Sequence, residues 1–130
     1  METISDNLAE QIGVKTEVVY LPHQSDPAEH RYVFAYTINI SNTGQQPAQL
    51  LTRYWLITDA DGNKQEVQGD GVVGEQPKIE PGATYTYSSG TVVETPVGTM
   101  EGHYGMVDAA GNHFNAAIPV FRLAVPGVLN

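Results

Sequence analysis

The chain has 130 residues, no cysteine, and fifteen acidic side chains against six basic ones, for a formal net charge of −9. That length fits one domain with its own core, and the missing cysteines exclude disulfides, thiolate metal sites and cysteine nucleophiles. The charge has the wrong sign for a sequence-independent nucleic-acid binder or for an anionic membrane surface, and no apolar run is long enough to span a bilayer.

Residues 1–12 are polar and acidic, with Leu8 and Ile12 the main apolar members, and read as a flexible N-terminal arm with at most one helical turn. Met1 to Asp6 carries neither a basic stretch nor an apolar one, so no secretion signal is expected, and the location is expected to be cytoplasmic. Alternation begins at Val14 and runs through Thr16, Val18 and Tyr20, a half-buried strand ended by Pro22. A polar loop, residues 23–30, follows. Tyr32, Phe34, Tyr36, Ile38 and Ile40 then alternate over nine residues, which predicts a strand with its large side chains in the core. Ser41-Asn42-Thr43-Gly44 reads as a turn.

A third strand is expected over residues 48–58, with Leu51, Arg53, Trp55 and Ile57 on one face and Leu50, Tyr54 and Leu56 on the other. Two partly apolar faces predict a central strand, with Trp55 in the core. Asp59-Ala60-Asp61-Gly62-Asn63 and Asp108-Ala109-Ala110-Gly111-Asn112 match at four of five positions and predict two hairpins of like geometry. Between them lie strands over 64–68, 83–89 and 100–106, with a loop over 90–98. The last strand runs from 113 to 125, and Pro119 within it predicts an edge position or a bulge. Seven or eight short strands with no helical period predict an all-β fold. The expected architecture is an immunoglobulin- or fibronectin type III-like antiparallel sandwich over residues 13–126, with a small closed barrel as the alternative and a C-terminal tail at 127–130.

Gly69, Gly71 and Gly74 spell G-x-G-x-x-G and are the candidate ligand-binding residues. A dinucleotide site needs a helix after that motif, because its N-terminus holds the pyrophosphate. Val72-Val73-Gly74-Glu75-Gln76-Pro77 starts no helix, so the glycines are expected to serve backbone conformation. Loop N–H groups alone can still cradle an anion. Asp70 and Glu75 oppose one, and the cation nearest to hand would be Lys64, Lys78 or, if the fold brings it in, Arg53. His23, Asp26, Glu29 and His30 are metal-ligating types without a fixed register, and no metal site is assigned to them. His103 and His113 are candidate cross-strand neighbours. Asp59-x-Asp61-x-Asn63 lacks the later glutamate of a calcium loop. No G-x-S-x-G surrounds Ser88-Ser89, so no catalytic residue and no cofactor is assigned.

The order of the blocks resembles bacterial ApaG. Those blocks are Tyr32-Val33-Phe34-Ala35-Tyr36, Arg53-Tyr54-Trp55, Gly69-x-Gly71-Val72-Val73-Gly74-x-Gln76-Pro77, Tyr85-x-Tyr87-x-Ser89-Gly90, Gly98-x-Met100-x-Gly102-x-Tyr104-x-Met106 and Ile118-Pro119-x-Phe121-x-Leu123. The resemblance covers about residues 14–126. It implies a fibronectin-like sandwich in a cytoplasmic bacterial protein, from a gene family associated with cobalt resistance and magnesium efflux. Similar domains in eukaryotic F-box proteins look like protein-interaction modules. The expectation is therefore a non-catalytic binding module with a protein partner, with no nucleic acid and no membrane insertion, and with homo-oligomerisation left open. The alternative is a small anionic ligand, such as a pyrophosphate or dinucleoside polyphosphate, at Gly69, Gly71 and Gly74. A domain that spans no bilayer conducts no ion, so a role in efflux would be indirect.

Overall fold

A computed structural model describes residues 8–128. Eight strands run in chain order: β1 (Ile12–Tyr20), β2 (Tyr32–Asn42), β3 (Ala48–Asp59), β4 (Lys64–Asp70), β5 (Lys78–Ile79), β6 (Thr84–Val93), β7 (Val97–Asp108) and β8 (His113–Ala124). They form two antiparallel sheets. One has the order β1-β2-β6; the other has the order β4-β3-β7-β8, with the two-residue β5 also paired to β3. This is the expected fibronectin type III-like sandwich. The single helical turn at residues 8–10 packs Leu8 and Ala9 against the core, and Ile12 already opens β1. The rest of the N-terminal arm and the last two residues of the tail lie outside the described residues.

The clearest alternation in the sequence becomes the centre of the smaller sheet. Phe34, Tyr36, Ile38 and Ile40 of β2 are buried, facing Leu50, Trp55, Ile57, Met100, Tyr104 and Met106 of the larger sheet. Trp55 is 2 % exposed. Its ring meets Tyr36, Phe121 and Tyr104 edge-on at 5.4, 5.9 and 6.4 Å, the geometry that aromatic quadrupoles favour. The Tyr87 and Tyr104 hydroxyls hydrogen-bond each other in the core. Burial raises the pKa of both phenols, so both stay protonated.

Three local expectations change. A bulge between Leu50 and Thr52 takes one residue out of the two-residue period of β3. Leu50 therefore joins Trp55 and Ile57 in the core, and Leu51 turns away from them. The expected turn at residues 41–44 starts later, because Ser41 and Asn42 still pair with β1. Asn42 is buried, and its amide donates to the carbonyls of Gln46 and Ile79 while its oxygen accepts from Gly44 N–H. The expected loop at 90–98 shrinks to residues 94–96, because the β-branched run Thr91-Val92-Val93 continues β6 through Gly90.

The repeated turns are alike, as their sequences predict. Asp59 Oδ1 accepts from the N–H groups of Asp61 and Asn63, and Asp108 Oδ1 from those of Ala110 and Asn112. For Asp59, desolvation pushes the pKa up, but hydrogen bonds from the Asn63 main chain and side chain outweigh it and hold the carboxyl below its usual range. At Asp108 the main-chain N–H of Asn112 is the largest cause of the same lowering. Pro119 sits on the edge strand β8, beside a bulge in the β7–β8 pairing.

Candidate binding groove on the open side of the sandwich

A sandwich has two sides where its sheets meet edge to edge. On one side β1 lies against β8 and closes the gap. On the other, the edge strands β4 and β6 stand across an opening, and three adjoining cavities run along it. A cavity of about 540 Å³ occupies the middle. A cavity of about 300 Å³ adjoins it beyond Gln65 and Val92, and one of about 250 Å³ beyond Ser89. Trp55, Ile57, Val33 and Met100 form the floor of the middle cavity. Ser89 has the inward parity of β6, between buried Tyr87 and half-buried Thr91, and yet is exposed. The sheets part there.

Charge in the middle cavity runs against the composition of the chain. The middle cavity is lined by Arg31 and Arg53, two of the six basic residues. Among the described residues no acidic side chain lines it. Arg53 comes inward because it lies two residues before Trp55 in the regular part of β3 and shares its face. Its Nη1 donates to the main-chain carbonyls of Asp70 and Gly71, at 3.0 Å each. Arg31 Nε donates to the Gln24 carbonyl at 3.3 Å. Neutral acceptors thus hold both guanidiniums, and among the described residues neither makes a hydrogen bond to a carboxylate. The Tyr36 phenol opens onto the same cavity. Burial raises its pKa, while a hydrogen bond with Ser89 and the charge of Arg53 partly oppose that rise.

Of the three motif glycines, Gly74 lines the end cavity of this groove. Gly69 lies in β4 opposite Arg53, and a Cβ there would sit 2.8 Å from Arg53 Nη1. The absent side chain leaves room for the guanidinium. Gly71 has φ +65°, and a Cβ on it would come within 2.3 Å of the Glu75 carbonyl oxygen. Gly74, at φ +80°, closes a tight turn in which Val72 and Glu75 exchange N–H···O bonds of 2.8 and 3.0 Å. Gly71 N–H donates to the Leu51 carbonyl. The amides of Gly71, Val72 and Glu75 are therefore already committed to main-chain acceptors. No helix follows; the chain passes to β5.

Val73 is the feature that sequence reasoning missed. It sits at the tip of that turn with φ +49° and 65 % exposure, on the rim of the end cavity. A β-branched residue in the left-handed region is strained. Val73→Gly is expected to raise the unfolding free energy by about 1 kcal/mol, read from a shift in the urea midpoint. An unchanged or lower midpoint would contradict the strain.

The other candidates separate. The expected loop at 23–30 contains the 3₁₀ turns Pro22–Gln24 and Pro27–Glu29, with His23 and His30 exposed. Among the described residues no three His, Cys, Asp or Glu side chains group as metal ligands. His103 pairs with Ala117 and His113 with Val107, so the two histidines are not cross-strand neighbours. His103 instead stacks on Tyr54 at 5.1 Å.

The comparisons agree with the fold and the motif order. The family model described as ApaG domain matches residues 22–108. A protein named Protein ApaG from Proteus mirabilis is 58 % identical over 120 residues, covering 92 % of this chain and 96 % of its own length. Protein ApaG from Pseudomonas aeruginosa is 59 % identical over 120 residues, covering 92 % and 95 %. An X-ray structure of the Northeast Structural Genomics Consortium target SoR45 superposes with a TM-score of 0.90 at 54 % identity, covering 94 % of this chain and 92 % of that one. A crystal structure from Bordetella pertussis gives a TM-score of 0.88 at 48 % identity, covering 90 % and 95 %.

Proposed function

The chain belongs to the ApaG domain family, and from that premise we propose that it is a non-catalytic interaction module that holds a protein partner in the groove between β4 and β6. The observation that supports this reading is the lining of the groove. The floor of its middle cavity is apolar, and the charged side chains lining that cavity are two arginines held by neutral carbonyls. Such a site orients a ligand through a few placed polar groups on an apolar bed. A small-anion site built on Gly69, Gly71 and Gly74 has less support, since three amides of that loop are committed within the main chain. The cation that the fold brings to the loop belongs to the groove.

On this reading, a cytoplasmic protein partner carries any effect on cobalt resistance or magnesium efflux. No helix among the described residues is long and apolar enough to cross a membrane. The test is affinity capture from an extract of a bacterium that carries the protein. Immobilised wild type and Arg122→Glu, a charge reversal on the exposed part of β8, should retain the same partner. Arg53→Glu, checked for native circular dichroism, should retain at least tenfold less. Equal capture by Arg53→Glu, or capture of nothing by the wild type, would overturn the proposal.

A further inference from the structure

The four edge strands are not equally guarded. A free edge presents unpaired N–H and C=O groups, and proteins usually blunt it with charge, proline, a bulge or a cover. Strand β8 carries Pro119 and a bulge, and β1 lies against β8 and carries Lys15 and Glu17. Strand β4 has Lys64, Glu66 and Asp70 within seven residues. Strand β6 has none of these. Its ten residues, Thr-Tyr-Thr-Tyr-Ser-Ser-Gly-Thr-Val-Val, contain no charge and no proline, and they pair with β2 in one unbroken register. It is the long, uncharged edge of the fold, and it borders the groove.

We infer that the groove receives an extended peptide segment of the partner, added as a new strand along β6, with an Asp or Glu side chain of that segment on Arg53. This rests on the groove being the partner site. Strand addition supplies affinity through main-chain hydrogen bonds, and pockets for alternate side chains supply selectivity. Three cavities in a row beside one edge strand offer that arrangement. At about 3.3 Å per residue, a segment of roughly six to eight residues follows most of β6.

The acidic preference comes from Arg53. A guanidinium has five N–H donors, and the two carbonyls that it bonds both lie on Nη1. Nε and Nη2 remain as a fork for a carboxylate. Among the described residues no acidic side chain lines the cavity to compete with an incoming one. Arg31, on the same lining, adds a second positive charge. A second copy of the chain is a poorer occupant, because two molecules of charge −9 repel and β6 itself carries no carboxylate for Arg53.

The test is selection of random 12-residue peptides displayed on phage, with the full chain as bait and the best binders synthesised. The binders should share an Asp or Glu at one aligned position. Changing it to the amide should weaken binding at least tenfold, as should Arg53→Gln in the protein, with little further loss when both are changed. Nuclear Overhauser contacts should connect the peptide main chain to residues 88–91. Binders lost on Arg53→Glu but without an acidic position, or without main-chain contacts to β6, would overturn the inference and leave the groove as the partner site. Failure to select any binder would also overturn the inference alone, since capture of the native partner is measured separately. Binders that map to the β1–β8 side would count against both. Sedimentation showing a dimer that Gly90→Lys dissolves would replace the peptide by a second copy.

Discussion

Trp55→Ala is expected to lower the free energy of unfolding by about 3–5 kcal/mol, the range for truncating a large core aromatic. The indole is 2 % exposed and meets three aromatic rings from β2, β7 and β8. Its removal leaves a void that those rings fill only in part, because they belong to strands fixed by pairing on both sheets. The void also opens beneath the middle of the groove, whose lining includes Trp55. The variant should therefore lose partner capture as well as stability. Urea unfolding checks the first effect through a lower midpoint with an unchanged slope. A loss below about 1 kcal/mol, well short of the range for core aromatics, would mean that Trp55 does not hold the sheets together.

Gly102→Ala should cost about 3 kcal/mol, at the upper end of overpacking, although it adds one methyl group. Gly102 lies in β7 opposite Trp55, where the β7–β8 pairing bulges. A Cβ there would stand 1.9 Å from the Tyr54 carbonyl oxygen. That atom belongs to the main chain of the neighbouring central strand, so neither side can move aside as a flexible side chain would. Relief requires separating β3 from β7, with loss of ladder hydrogen bonds. Thermal unfolding of the purified variant measures the effect. A midpoint within a degree or two of wild type would show that the two strands have slack the structure does not display.

The pattern of the fold was readable wherever a period of two ran uninterrupted. The alternation from Tyr32 to Ile40 determined β2, and the paired Asp-Ala-x-Gly-Asn turns gave two hairpins with the same hydrogen bonds. Reading failed where one residue left the period. The bulge at Leu50 and Thr52 reversed the faces at the start of β3, and alternation carries no mark of a bulge that small. Gly90 looked like the start of a loop, although the β-branched residues after it were the available sign that β6 continues. Gly69, Gly71 and Gly74 were legible as letters, and the missing helix after them was legible too. The groove was not. It exists because β6 and β4 become edges that face each other, which depends on sheet order. Arg53 was named as a cation that only the fold could bring to the glycine loop. Its shared face with Trp55 was legible in the alternation, but its neutral partners are main-chain carbonyls of residues 70 and 71, which only the fold brings to it.

The most direct measurement is amide hydrogen exchange of the chain alone and in complex with its captured partner. Binding at the groove predicts new protection concentrated in β6 and β4, strongest at residues 88–92, where an edge strand otherwise exchanges from its free side. The amides of β1 and β8 should keep their rates. Protection confined to the β1–β8 side, or spread evenly with no excess in β6, would contradict the account.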